Sequence, residues 1–213
     1  MLFIDRVDAG RKLARALDPL PQDALILGIP RGGVTVARAI ADVLRRSLDV
    51  LVVRKLGAPH NSELAIGAIG PNGAVTLDED VLRALQGVSA EYIQREAAAQ
   101  VAEIDRRMSL YRGDQPFPDV GGRHCVVVDD GIATGSTARA ALRWLREANA
   151  QPVVLAVPVA PERTVHELEK EADHVVVLFS PQTFVAVGQW YERFDQVDDD
   201  EVVAALKRAP GAS

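Results

Sequence analysis

Two adjacent carboxylates, Asp129 and Asp130, close the apolar run His124 to Val128 and open a turn of small and hydroxylic residues, Gly131-Ile132-Ala133-Thr134-Gly135-Ser136-Thr137. The helical pattern Ala138-Arg139-Ala140-Ala141-Leu142 follows directly, so the order is strand, small-residue turn, helix. Where a helix begins at the carboxyl end of a buried strand, it offers unpaired N–H groups and positive dipole to an anion. The stretch Ala133 to Thr137 can therefore cradle a phosphate monoester. Small side chains at Ala133 and Gly135 let backbone amides approach it, and the hydroxyls of Thr134, Ser136 and Thr137 add donors. Asp129 and Asp130 cannot ligate that phosphate. Adjacent carboxylates instead accept hydrogen bonds from vicinal hydroxyls, or stand near hydrated magnesium held by an anionic substrate. A sugar phosphate satisfies both halves. Turn capping alone would account for the acidic dipeptide, but not for the whole string from Val126 to Thr137.

The elements that must position these residues follow from the apolar pattern. Strands are expected at residues 24–29, 49–53, 124–128, 152–157 and 174–178, all short, continuous in Val, Ile and Leu, and suited to burial on both faces. Helical spacing covers residues 34–46, 137–149 and 162–171 between them. This alternation predicts an α/β fold, an open and mostly parallel sheet flanked by helices. Residues 54–119 interrupt the rhythm as an excursion from the sheet. It begins with the Gly57-Ala58-Pro59-His60-Asn61-Ser62 loop and continues as a hairpin turning at Pro71-Asn72-Gly73, where Asn-Gly supplies positive φ. A long helix over residues 89–111 follows, capped by Ser89 with Glu91 complementing its dipole. Residues 181–197 hold Phe184, Trp190, Tyr191 and Phe194, four of the chain's ten aromatics, which suits either a hood over a ligand or packing of a final helix at 198–209.

Composition bounds the partners. With 213 residues, 48% of them hydrophobic, the chain can bury one sizeable core, and residues 1–213 read as a single domain. A net charge near −6 disfavours nonspecific binding to nucleic acid or anionic membrane, so a polyanionic ligand needs a local cationic site. The single Cys125 lies inside an apolar run and reads as core, with no disulfide framework or cysteine zinc cluster. The opening residues reach a charge at once and no apolar segment approaches membrane-spanning length, so a soluble cytoplasmic protein is expected.

The string Asp129 to Thr137 resembles the signature of the type I phosphoribosyltransferases: an apolar run, two acidic residues, two apolar residues and a small-Thr-Gly-x-Thr turn. The resemblance implies that Asp129 and Asp130 hold the ribose hydroxyls of 5-phosphoribosyl-1-pyrophosphate, while Ala133, Thr134, Gly135, Ser136 and Thr137 hold its 5-phosphate. A second match, Gly28 to Val34, falls where the family places its pyrophosphate loop. There Pro30, Arg31, Gly32 and Gly33 would face the diphosphate, with glycines freeing the backbone and Arg31 supplying charge. A third, Arg54-Lys55, is similar to the pair that leads into a mobile, pyrophosphate-covering loop in the orotate and adenine enzymes, and His60 and Glu63 lie in that loop as candidates for proton transfer or shielding. The runs Arg54 to Ala68 and Ala186 to Phe194 look like a bacterial group usually called predicted phosphoribosyltransferases, a likeness that covers nearly the whole chain and implies a fold and a cosubstrate but no acceptor.

On this resemblance Mg2+, carried by the substrate near Asp129 and Asp130, neutralises the diphosphate. Arg31, Arg54 and Lys55 stabilise its departure while a nucleophile attacks the anomeric carbon. Closure of residues 56–72 would exclude water. Ala133 stands where 6-oxopurine enzymes carry a carboxylate, and Phe184 to Tyr191 is the expected acceptor wall, with Phe184 and Trp190 as stacking rings. A homodimer is implied by analogy alone. The competing reading is a regulator that binds the sugar diphosphate without transfer; no helix-turn-helix extension or basic face in the sequence supports it. A phosphatase is disfavoured because Gly131 stands where haloacid-type enzymes need a second aspartate, and no Gly-x4-Gly-Lys-Ser/Thr loop exists for a nucleoside triphosphatase.

Overall fold

The computed structural model describes residues 2–85 and 87–207, the side chains of Ser62 and Glu63 excepted. In chain order the elements are α1 (Arg6–Leu17), β1 (Leu25–Gly28), α2 (Gly32–Leu44), β2 (Ser47–Val50), β3 (Arg54–Ala58), β4 (Asn61–Ile69), β5 (Val75–Leu77), α3 (Glu79–Leu85), α4 (Ala90–Arg112), β6 (Cys125–Val128), α5 (Ser136–Glu147), β7 (Val153–Val159), α6 (Glu162–Leu168), β8 (His174–Phe179) and α7 (Asp199–Lys207). The continuous apolar runs pair in parallel as one five-stranded sheet, ordered β2-β1-β6-β7-β8. Because alternate strand residues point to opposite faces, each run feeds two cores. Leu25, Val127 and Leu155 pack under Ala141, Leu142 and Leu145 of α5 on one face. Ile26, Val126 and Val154 pack under Leu13 of α1 and Ile40 of α2 on the other.

Strand order fixes where a ligand can sit. From β1 the chain crosses through α2 to β2 on one side, and from β6 it crosses through α5 to β7 on the other. The direction of winding therefore reverses between β1 and β6, and a crevice opens at their carboxyl ends. Gly28 and Val128 are register partners, so the turns that follow them start side by side.

The five sheet strands and the helices after β1, β6 and β7 lie where the pattern places them, with ends displaced by at most three residues. Ser89 caps α4 by accepting from the Tyr92 amide at 3.2 Å, and Asn72 and Gly73 take the left-handed φ of 62° and 68° that their turn demands. Two helices were not anticipated. In α1, Ala9, Leu13, Ala14 and Leu17 make a narrow apolar stripe among charged residues, and Asp5 caps it by accepting from the Asp8 amide at 2.9 Å. In α3 no residue is fully buried, so it left no core stripe to read.

The excursion is more ordered than its composition suggests. Arg54 and Lys55 do not end a sheet strand: β2 stops at Val50, the buried residues Leu51 to Val53 carry the chain away, and Arg54 opens β3. The Gly, Pro and Asn rich stretch is a strand pair, β3 with β4, turning at Pro59-His60, and β5 completes a second, antiparallel sheet. Its base is docked on α5. A Cβ at Gly70 would overlap the Trp144 indole, and Arg143 donates to Asp78 at 2.5 Å and to Glu171 of the β7–β8 connection at 2.8 Å.

Cys125 is fully buried in the α5-side core, and burial pushes its thiol up to about 11. A thiol held there stays protonated at pH 8 and out of reach of reagents. Thiol-specific labelling at pH 8 should therefore be absent in the folded protein and complete in denaturant, and Cys125→Ala should cost roughly 1 kcal/mol in chemical denaturation, as expected for one deleted buried heavy atom. Rapid labelling of the native state would contradict this placement.

Candidate functional site

The turns after β1 and β6 touch. A Cβ at Gly33 would stand 2.6 Å from the Val128 carbonyl oxygen and 2.8 Å from Asp129 Cα, and one at Gly32 would overlap Asp130 Oδ2. Only glycine permits this approach, because the obstacle at Gly33 is backbone that cannot step aside. The Arg31-Gly32-Gly33 turn thus lies against the acidic pair, with Arg31 at the N-terminus of α2.

Asp129 and Asp130 are half-buried at the end of β6. Asp129 Oδ1 accepts the Asp130 amide at 2.8 Å, and Asp130 Oδ2 accepts from Arg6 Nε at 2.7 Å. Burial pushes both carboxyls above the usual range. At Asp129 the neighbouring Asp130 charge adds to this, while at Asp130 the Arg6 guanidinium opposes it. Tyr191 donates its hydroxyl to the Asp130 carbonyl at 2.5 Å. Arg6 was missed in the sequence because it stands 124 residues from Asp130, on a helix that carries no motif.

The small-residue turn is fixed from outside. Gly131, at φ 156°, packs where a Cβ would meet Val187 at 2.5 Å. Ile132 donates its amide to Val159 at 2.9 Å, and the Ala133 carbonyl accepts from Thr164 of α6 at 2.9 Å. Gly135 takes the left-handed φ of 75° at the N-cap of α5. Thr134 Oγ1 and Ser136 Oγ lie 3.3 Å apart, and Ala133, Thr134 and Thr137 are exposed. An exposed, hydroxyl-lined helix N-terminus therefore adjoins the acidic pair, one turn of chain away.

The other expected residues are distributed differently. Arg54 Nη2 lies 3.7 Å from Glu103 Oε1 on α4, and Arg106 and Arg107 hold that carboxyl down to about 2. The described ion pairs thus bring Arg54 to α4, and bring Arg6 to the acidic pair. Lys55 sits beside Arg54 in β3, opposite Ala68. His60 is exposed at the β3–β4 turn with φ 63°, and the Glu63 side chain lies outside the described residues. Trp190 packs on Phe179 of β8 at 4.9 Å and on Phe184 at 6.3 Å, and Trp190 and Phe184 both pack against the cluster of Phe3, Ala9, Val159 and Tyr191. Phe194 lies beside Arg6 and Arg31 at the crevice. A cavity of about 320 Å³ there is lined by Arg6, Arg31, Gly32, Phe194 and Asp195 to Val197.

Residues 7–201 match the family model described as the phosphoribosyl transferase domain. The chain belongs to that family. A Mycobacterium tuberculosis protein whose phosphoribosyl transferase name is provisional is 48% identical over 211 residues, 98% of this chain and 47% of the relative. The chain therefore spans about half the length of that relative. The crystal structure of TT1426 from Thermus thermophilus superposes with a TM-score of 0.90 at 44% identity, covering 97% of this chain and 98% of that one. The bifunctional protein PyrR of Corynebacterium diphtheriae is 28% identical over 178 residues, 79% of this chain and 74% of its own. The phosphoribosyl transferase fold, a mostly parallel sheet flanked by helices, is thus the fold of this chain. None of its described helices is long and apolar enough to cross a membrane.

The raised carboxyl of Asp129 gives a prediction with a definite sign. An acid whose pKa rises on folding favours the folded state while protonated, below its ordinary value of 3.8, and loses that contribution as pH climbs through the folded value. Asp129→Asn keeps an oxygen for the Asp130 amide and removes the charge. Its melting temperature at pH 7 should exceed that of the natural protein, and the gap should close as pH falls toward 4. A lower melting temperature at pH 7 would show that the ionised carboxylate stabilises the fold.

Proposed function

We propose that this protein binds 5-phosphoribosyl-1-pyrophosphate in the crevice between β1 and β6 and transfers the phosphoribosyl group to a nitrogenous, nucleobase-like acceptor, releasing pyrophosphate. The observation that carries the reading is the contact between the Gly32-Gly33 turn and the Asp129-Asp130 pair. It joins an anion-binding turn, a diol-binding pair and a helix N-terminus within the reach of one sugar diphosphate. Asp129 and Asp130 would accept the ribose hydroxyls, the amides and hydroxyls from Ala133 to Thr137 would hold the 5-phosphate, and Pro30 to Gly33 would face the diphosphate. The cavity lined by Phe194 and Arg31 is at the small end of ligand sites and suits a compact flat acceptor.

Chemically, a lone pair on the acceptor nitrogen forms the new bond to the anomeric carbon as the bond to the diphosphate oxygen breaks. The departing group carries away the electron pair, and the acceptor's proton passes to solvent or to the diphosphate. What the chain supplies is alignment and charge. Arg31 lines the cavity and can meet charge developing on the leaving group. Arg54 can do so only by releasing Glu103, and Lys55 accompanies it on β3. Mg2+ fits this donor set as an ion brought by the substrate. Two carboxylates adjoin the crevice, and among the described residues no group of three or more His, Cys, Asp or Glu could cage a metal by itself. Bound there, the ion would offset diphosphate charge beside Asp129 and Asp130. A cytoplasmic location suits a substrate that carries several phosphates.

A second reading, a regulator that binds the sugar diphosphate without transferring it, draws on the engagement of Arg54 with Glu103 and on a 43-residue stretch 51% identical to the transcriptional regulator GfcR 2 of Methanosarcina barkeri. Calorimetric titration with 5-phosphoribosyl-1-pyrophosphate and Mg2+, followed by an acceptor screen reading pyrophosphate release, separates the two. Release with one acceptor is expected; binding with none would favour the regulator, and no binding would refute both. Asp130→Asn should weaken binding roughly tenfold, as for one charge-assisted hydrogen bond. Gly135→Val should abolish it, since valine is strained at φ 75° and its Cβ would press on Thr164 at 3.0 Å.

A further inference from the structure

We propose that Arg6 is a positioning residue of the cosubstrate site: its guanidinium sets the Asp130 carboxylate for the sugar hydroxyls and offsets the negative charge of the acidic pair. This rests on the reading above, in which Asp129 and Asp130 take those hydroxyls. Arg6 stands one residue before the stretch that matches the family model, so membership of the family assigns it nothing.

The guanidinium is held on four sides. Nε donates to Asp130 Oδ2 at 2.7 Å, Nη1 donates to the Asp195 carbonyl at 2.8 Å, and the plane lies 3.9 Å from the centre of the Phe194 ring. On the fourth side is Gly32, where a Cβ would stand 2.8 Å from Nε. The side chain keeps 11% of its exposure and that of Asp130 keeps 15%. Its backbone is equally fixed. Leu2 and Phe3 donate to the Trp190 carbonyl at 3.0 and 3.1 Å, Glu192 and Arg193 donate back to Phe3 and Ile4 at 2.9 Å each, and Arg193 pairs with Asp5 at 2.6 Å. The segment before α1 is therefore laced to the hood. That same hood holds the Asp130 carbonyl through Tyr191.

Two consequences bear on a ligand. Asp129 Oδ1 accepts the Asp130 amide and Asp130 Oδ2 accepts from Arg6, which orients both carboxyls and the oxygens outside these two bonds. Two such oxygens on neighbouring residues match a vicinal diol, and fixing them in advance spares the ordering cost on binding. The pair alone would also set two negative charges beside an entering polyanion, which Arg6 reduces to a net one. A plain structural ion pair would explain the contact with Asp130, but not why the same guanidinium lines the cavity beside Arg31. A buried pair is in any case a poor source of stability.

Ribose 5-phosphate and its 2-deoxy analogue, titrated calorimetrically against the full chain, test this without turnover. The natural protein should prefer the diol. In Arg6→Ala, ribose 5-phosphate should bind roughly ten- to a hundredfold more weakly, the range of one charge-assisted hydrogen bond, and the preference over the deoxy analogue should collapse. Millimolar ethylguanidinium should restore part of both. Arg6→Lys, which keeps charge but loses the stacked fork, should fall between, and it decides the matter if the alanine variant fails to fold. An unchanged preference in folded variants would overturn the inference, and so would tighter binding, which would make Arg6 a competitor for Asp130. Failure of the natural protein to bind either sugar phosphate would sink the functional reading itself, and this inference with it.

Discussion

Two carboxylates forced side by side at the end of a buried strand are the constraint to which the rest of this molecule answers. Water cannot fully solvate Asp129 and Asp130, and the charge of Asp130 raises the cost of ionising Asp129. Neutral side chains there would be easier to bury. Keeping both acids requires a hydrogen-bonded amide at Asp129, a guanidinium at Asp130, and glycines opposite that let the β1 turn come close without a Cβ in the way. Each requirement recruits a different part of the chain. The amide comes from the acidic turn itself, the guanidinium from α1, and the glycines from the start of α2. Destabilised but retained polar groups of this kind are a mark of function, because stability alone would remove them.

The chain supplies charge compensation from far away, and this explains what could be read in advance. Most of the sheet and its turns were legible, though α1, α3 and the β3 strand were not. Apolar runs gave the five sheet strands, the small-residue turn gave the helix N-terminus, and Asn72-Gly73 gave the hairpin, because each depends on residues adjacent in sequence. The touching of Gly32 and Gly33 with Asp129 and Asp130 was legible only through topology, since parallel strands in this order must set those turns side by side. Arg6 was not legible at all. A long-range ion pair leaves no periodicity, and an arginine three residues after Phe3 looks like any surface charge. The hood aromatics show the same limit. Their enrichment was visible, but their partners were not: Trp190 packs on Phe179 and Phe184, while Phe194 packs on Tyr191 and lines the cavity.

The excursion separates two properties that composition had merged. Glycine, proline and asparagine suggested a loop, yet β3 and β4 pair in register from Arg54 opposite Ile69 to Leu56 opposite Gly67 before the pairing slips near the turn. Glycines in that stretch mark where backbones press together as much as where they bend. At Gly67 a Cβ would stand 3.2 Å from Leu77 Cδ2, so the residue closes the β4–β5 pair. The arm has a base docked through Asp78, Gly70 and Trp144 and a tip at which His60 is exposed.

The basic residues of the arm and of the crevice are in different states of commitment, and that difference is physical. Arg6 is enclosed by a carboxylate, a carbonyl and an aromatic face, with 11% of its side chain exposed, so it has little freedom left to lose when a ligand arrives. Arg54 is 42% exposed and 3.7 Å from a glutamate already served by two nearer arginines. Such a pair in high-dielectric surroundings is weak, and a polyanion entering the crevice could outbid Glu103 for that side chain at small cost. On the proposed reading, the fixed cation would align sugar hydroxyls, and the loosely held one would have to leave Glu103 to meet a departing group. Rigid charge suits alignment and mobile charge suits release, so the two arginines differ in the way that proposal needs.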